Sequence, residues 1–421
     1  MYAIFTDMAA AGVQPDLETY NLLLHSARYN DLNCTFILRQ MTSAGIERNA
    51  LSYQHLIQYH ADNRNLEMCL QIVDEMSVQE IHPTIATVEA FINLAAQLNY
   101  ARLALDFALN YEEKSARRIP ATSWMKMLGS CAVLHYIEGV EICWVKGVEQ
   151  GLAPPDEGLC LDVLHVAGRS GRPELAMGVI RALRKNGAVF REHHLAPVLE
   201  AFLNANNLKD ALHVLSLMRS HSISPEESTT MPILRRIVQS VDDVDNAFYI
   251  LEELKNDGKP IDISAVNVII RASVELDDLQ RAVGTYKECE KLGVQPTRDT
   301  FYYLLDACVK AQHHALGEKL YEEMTRAGIL PDEAAYEKML LLALTQTSYE
   351  EAFYYLEEMK LKSPDVPARV YEAIIRKCVT SFDPRWKVAA EEMQQRGYSL
   401  SSKLLRFIEK GEDDPVTSPR F

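Results

Sequence analysis

Two histidine pairs, His193-His194 and His313-His314, and two acidic clusters, Asp242/Asp243/Asp245 and Asp277/Asp278, carry the groups best suited to metal or acid-base chemistry. Neighbouring residues of a helix point to different faces, so neither histidine pair is expected to ligate one ion. The acidic clusters fall where one helical pattern gives way to the next, and read as solvated turns and helix caps. Eight cysteines, Cys34, Cys69, Cys131, Cys143, Cys160, Cys289, Cys308 and Cys378, include no Cys-x-x-Cys. They sit inside apolar patterns and read as buried thiols of a reducing compartment. No phosphate-binding loop, dinucleotide fingerprint or Gly-x-Ser-x-Gly occurs. These residues lead us to expect no catalytic site, no metal, no cofactor and no small-molecule substrate.

The totals narrow the partners. The 421 residues hold 59 acidic and 43 basic side chains, a net charge of −16. Nucleic-acid binders draw affinity from phosphate contacts and are more often basic. The balance counts against a non-specific polyanion binder, although the placement of charge outranks its sum. No apolar run approaches the roughly 20 residues that span a bilayer, so no membrane insertion is expected.

The elements that would position any site repeat along the chain. The junction AGVQPD ends at Asp16 and AGILPD at Asp332; between and after them come junctions ending at Asn49, Thr84, Asp156, Glu227, Asp262, Thr297 and Asp365, with weaker copies near Ala121 and Glu192. Successive junctions lie 33 to 37 residues apart. After each comes an amphipathic helical pattern, such as LETYNLLLHSAR, then a short polar break and a second pattern, such as EAFYYLEEMK. Glycine supplies a left-handed C-cap, proline ends the helix, and Asp, Thr or Ser caps the next one. Ala176, Ala211, Ala247, Ala282 and Ala352 recur early in second helices and are expected at helix-helix contacts. A hairpin of this size cannot bury its own apolar face, whereas stacked copies can, which is the logic of a solenoid. MYAIFTDMAAAGVQPD matches only a second helix and its junction, so residues 1–16 are expected to be a truncated repeat of a longer chain. About eleven hairpins should fill 17–400, with a capping helix at 401–410 and a disordered tail at 411–421.

A 34-residue tetratricopeptide unit would want an early Trp and Leu-Gly. Here Tyr-Asn opens the first helix and Met-x-x-x-Gly-[Ile/Val]-x-Pro-Asp closes the second, as in TDMAAAGVQPDLETYNLLL and EMTRAGILPD. That combination resembles the P-type repeats of the pentatricopeptide repeat family over residues 1 to about 400, least closely over 85–200. The resemblance implies an all-α fold, a right-handed α-solenoid superhelix of stacked helix-turn-helix repeats of about 35 residues. It also implies an organellar setting, mitochondrial with the chloroplast as second choice. The zinc-deaminase ending of some members needs His-x-Glu with Cys-x-x-Cys, and neither is present.

In the resembled family each repeat reads one base of single-stranded RNA with two side chains. One follows the Tyr of the first helix and the other ends the junction. Carried over, the base-reading candidates are Asn21 with Asn49, Gln54 with Thr84, and Asn267 with Thr297. An Asn amide offers a base both a donor and an acceptor. Elsewhere the pattern degrades, to Leu161, Ala196, Met231, Glu89, Glu337 and the pair Tyr302 with Asp332. Phosphate contacts are implied for Arg28, Arg169, Arg271, Lys310 and Lys377, near the ends of first helices. The expected function is RNA binding in organellar RNA processing, stability or translation, without catalysis. The alternative is a protein-binding scaffold for a mitochondrial ribosome or for respiratory-complex assembly, favoured by the acidic balance and the degraded pairs.

Overall fold

A helix stops cleanly where a left-handed residue turns its last carbonyls inward, and starts where a side-chain oxygen takes up its first amides. The repeats supply both. Gly45, Gly187, Gly258 and Gly328 close second helices at φ of 69°, 75°, 71° and 77°. Asp16, Asn49, Asp156 and Asp332 then accept from the amide three residues on, at 2.7–3.1 Å. In the computed structural model, which describes residues 7–8, 10–27, 31–150, 154–362 and 365–413, no strand occurs among the described residues. The helices come in pairs, from Leu17–Ser26 with Asp31–Ser43 to Ala368–Thr380 with Arg385–Gln395, and end with Ser402–Asp413. The fold is all-α.

The chain divides into two compact units, Met1–Ala205 and Asn206–Phe421. Within each unit every first helix packs on the next first helix, and most second helices pack on their own partner and on the following first helix. Each unit is thus a stack of hairpins that share apolar faces. The expected contact alanines, Ala176, Ala211, Ala247, Ala282 and Ala352, are fully buried. The helices Glu157–Arg169 and Glu192–Asn204 approach closely, backbone to backbone. A methyl on Gly168 would lie 2.9 Å from the Pro197 carbonyl oxygen, and Asn204 Nδ2 donates to the Gly168 carbonyl at 2.8 Å. All eight cysteines are buried thiols outside any disulfide. No helix among the described residues is long and apolar enough to cross a membrane.

Several details depart from the sequence reading. The corners inside the pairs also use left-handed residues, mostly not glycine: Arg64, Asn99, His135, Asp277, Gln312 and Phe382 have φ of 51–61°. Asp242, Asp243 and Asp245 lie inside the helix Val241–Asn256, because Ser240 takes the cap and accepts from Asp243 N at 3.1 Å. Asp245 and Asp278 then grip Arg281 from two sides, Asp245 at 2.7 Å. The helix Ile137–Trp144 runs on as a π-helical turn, Val145–Glu149. The terminal helix Ser402–Asp413 reaches into the segment expected to be a disordered tail; the remainder of that tail, and residues 1–6 and 9 of the truncated repeat, lie outside the described residues.

Candidate functional site

At Asp16, Asn49, Thr84, Asp156, Asp262 and Asp332 the side chain that ends the junction is also the N-cap of the next first helix. Its oxygen is therefore anchored on backbone, one repeat along from the residue that follows the first-helix Tyr. In the helix Leu17–Ser26 that residue is Asn21, buried at 4% exposure against the next repeat. Asn21 Nδ2 donates to Asn49 Oδ1 at 3.3 Å. Asn49 Oδ1 also accepts from Ser52 N at 2.9 Å. The Ser52 hydroxyl accepts from Asn49 N at 3.3 Å and donates to Asn21 Oδ1 at 2.6 Å.

The same arrangement recurs in the second unit. Asn267, 8% exposed, donates through Nδ2 to Thr297 Oγ1 at 3.2 Å. The Thr300 hydroxyl accepts from Thr297 N at 2.9 Å and donates to Asn267 Oδ1 at 2.6 Å. Between Gln54 and Thr84 the bond is simpler, Thr84 Oγ1 to Gln54 Oε1 at 2.7 Å. The structure brings together each of the three candidate pairs. It also joins Tyr302 to Asp332, a pair that the sequence reading counted as degraded. Ser52 and Thr300 were missed; their signal is a hydroxyl residue three places after an Asn or Thr cap, the capping-box spacing.

The basic candidates are placed unevenly. Arg28 lies outside the described residues. The Arg169 guanidinium is exposed and makes no ion pair with the described residues. Arg271 is held by Glu227 at 2.5 Å and Glu275 at 3.4 Å, and its guanidinium stands 5.6 Å from the centre of the Tyr303 ring. Lys310 donates to the Val274 carbonyl at 2.9 Å and lies 3.4 Å from Asp277. Lys377 lies over the Tyr349 ring at 5.4 Å, where burial pushes its ammonium below the usual lysine range. Asn267 and Arg271 share a cleft of about 180 Å³ with Glu227, Thr230, Asp299 and Tyr303. Glu337, where the reading pattern degrades, is buried and paired with Arg369 at 2.5 Å.

The histidine expectation needs correcting. His193 and His194 do come together, with ring centroids 4.2 Å apart and Glu157 3.1 Å from His194 Nε2. The reason is local. His194 Nδ1 accepts the Arg191 amide at 3.1 Å, which folds the ring back over the helix start. Nε2 then carries the proton and donates it to Glu157, so both ring nitrogens of His194 are occupied. Burial lowers its pKa, in keeping with a neutral ring. His314 faces Glu318 with Nδ1 at 3.5 Å and Glu351 with Nε2 at 3.1 Å. One ring nitrogen and an oxygen of each carboxylate lie within 4.8 Å of one another.

Family models match three stretches: "Pentatricopeptide repeat-containing protein" over 157–289, "Pentatricopeptide repeat domain" over 36–97 and "PPR repeat" over 299–329. A mitochondrial pentatricopeptide repeat-containing protein of Arabidopsis thaliana is 24% identical over 246 residues, covering 54% of this chain and 39% of its own length. A mitochondrial 15S rRNA processing factor of Debaryomyces hansenii is 22% identical over 202 residues, 46% of this chain and 24% of its own. The chain thus spans about two fifths or less of these relatives. Among solved structures, the maize pentatricopeptide repeat protein PPR10 aligns with a TM-score of 0.42 and 18% identity, over 98% of this chain and 60% of the maize chain.

Proposed function

The chain belongs to the pentatricopeptide repeat family, and from that premise we propose that it binds single-stranded RNA along its first helices. Its role would be RNA processing, stability or translation in an organelle, with no catalysis of its own. One observation carries this reading. Asn21 with Asn49, Gln54 with Thr84, and Asn267 with Thr297 are each joined by a hydrogen bond between successive repeats. Two side chains so joined offer a base one shared polar edge. At the first pair the exposed end is Asn49, whose Nδ2 has no partner among the described residues. Arg169 is poised for a phosphate, whereas Arg271 must exchange Glu227 for one.

The Debaryomyces hansenii relative is named for processing an RNA, which supports the same class of partner. Several relatives are named mitochondrial and one chloroplastic, so mitochondria are the proposed location. A protein-binding scaffold is the second reading, favoured by the capture of Arg271 and Lys310 by carboxylates.

Titration of the whole chain with random single-stranded RNA 20-mers over a salt series separates the two. RNA binding should weaken as salt rises, with a log-log slope of about −0.7 for each phosphate contacted. No binding at low salt would overturn the RNA reading and leave the scaffold.

A further inference from the structure

The amides of Asn21 and Asn267 are not free to turn over, and the reason lies one repeat further on. In the first unit the chain of constraint starts at backbone. Ser52 N must donate, so the atom it meets at 2.9 Å on Asn49 is the carbonyl oxygen. That oxygen also meets Asn21 at 3.3 Å, and two oxygens cannot face each other there, so Asn21 presents Nδ2. Asn21 Oδ1 is thereby turned to the Ser52 hydroxyl. That hydroxyl already accepts the Asn49 amide at 3.3 Å and can give its one proton at 2.6 Å. In the second unit Thr297 and Thr300 both offer hydroxyls, and the lengths set the sense: 2.6 Å to Thr300 suits an O–H···O bond and 3.2 Å to Thr297 an N–H···O bond. The Thr300 hydroxyl accepts from Thr297 N at 2.9 Å and donates to Asn267 Oδ1 at 2.6 Å.

We infer that Ser52 and Thr300 are positioning residues for base choice, each holding the reading asparagine of the preceding repeat with its carbonyl turned inward. The inference rests on the RNA-binding reading. With Oδ1 engaged and one Nδ2 hydrogen given to the cap residue, the asparagine has a single N–H left for a ligand. With the carbonyl turned inward, the N–H is the group it turns to a base. The base must then offer an acceptor at that place, a carbonyl oxygen or an unprotonated ring nitrogen, and an exocyclic amine is refused. Gln54 is a built-in contrast. Its contact with the cap is Thr84 Oγ1 at 2.7 Å, and Thr87 bonds Thr84 rather than the glutamine. The Gln54 amide is held at one atom only, whereas Asn21 and Asn267 are held at both.

The test is selection from a pool of random single-stranded RNA 20-mers against the whole chain. The wild type is compared with Ser52→Ala, Ser52→Thr, Thr300→Ala, Thr300→Ser and Thr87→Ala, with thermal melting of each. Ser52→Ala and Thr300→Ala should each flatten one position of the enriched motif, a preference of about tenfold falling to within about twofold. Ser52→Thr and Thr300→Ser keep the hydroxyl and should keep the preference. Thr87→Ala should leave the motif as it is. An enriched wild-type motif that neither alanine variant changes would overturn this inference and leave RNA binding standing. Uniform weakening at every position, shared by Ser52→Thr, would show a structural role and also overturn it. A wild type that enriches nothing would overturn both.

Discussion

The Tyr53 hydroxyl donates to Glu75 at 2.9 Å, tying the two helices of one repeat, and Tyr371 repeats the bond on Glu392 at 3.0 Å. A cation stands by each ring and pairs with the same glutamate: Arg48 at 5.4 Å from Tyr53, and Arg396 at 5.9 Å from Tyr371. The buckle accounts for a Tyr in first helices and a Glu late in second helices. Tyr53→Phe keeps the packing and loses a bond to a charged acceptor. It should cost about 1.5–3 kcal/mol, read as a lower denaturant midpoint at unchanged slope.

Buried phenols set the alkaline limit of the fold. Desolvation leads in pushing Tyr53, Tyr349 and Tyr355 up to about 12. Unfolded tyrosines ionise near pH 10, so above that pH the unfolded chain loses protons the native chain keeps. The contribution of these groups is intact below pH 10 and lost as pH rises towards 12. Thermal melts from pH 9 to 12 should show a flat start and then a steady fall. A melting temperature unchanged at pH 11.5 would contradict the assignment.

Asp383 works in the opposite direction. The hydrogen bond from Arg385 holds its carboxyl down at about 2, and the Tyr349 hydroxyl adds a bond at 2.8 Å. Its contribution is complete above the ordinary value near 4 and disappears as pH falls through 2. Asp383→Asn should destabilise by about 1–3 kcal/mol at neutral pH. The deficit should shrink as pH drops from 4 to 2, measured by chemical denaturation at each pH.

Releasing a captured cation should strengthen RNA binding. Glu227→Gln removes the charge that holds Arg271 at 2.5 Å. On the RNA reading, affinity rises and the salt slope steepens by about 0.7 for the one phosphate gained. Arg271→Ala made alongside should abolish that gain. Equal slopes for Glu227→Gln and wild type would remove Arg271 from the phosphate contacts.

Gly168→Ala tests the tight crossing in the first unit. The added methyl would meet the Pro197 carbonyl oxygen at 2.9 Å. Helix propensity favours alanine by up to about 1 kcal/mol, yet overpacking against backbone costs about 1–3 kcal/mol. A net loss of stability is expected in denaturant unfolding, and a gain would show that the two helices can part.

Local chemistry explains what was legible in the sequence. Gly45, Pro15 and Asp332 stop, redirect and start helices by themselves, so the helix pairs could be read without knowing their neighbours. The reading pairs came from resemblance; their joining depends on repeats stacking in one register, which brings Asn21 to Asn49 across 28 residues. The capping role of Ser52 and Thr300 is written in their spacing, but their second bond, to the preceding repeat, is not. Glu227 reaches Arg271 across 44 positions, a contact that no periodic pattern encodes. His194 misled because the general rule about adjacent helical residues yields, at a helix start, to the ring's own bond with backbone.

Arg64, His135 and Phe382 turn the corners of their hairpins at φ of 56°, 51° and 54°, a posture that crowds Cβ against the following carbonyl. Selection has therefore left slack in the molecule at its bends. Glycine or asparagine would relax each bend separately, touching none of the residues offered to a base. Heat tolerance and recognition can thus be adjusted by different hands: one by redrafting the bends, the other by redrafting the reading edge.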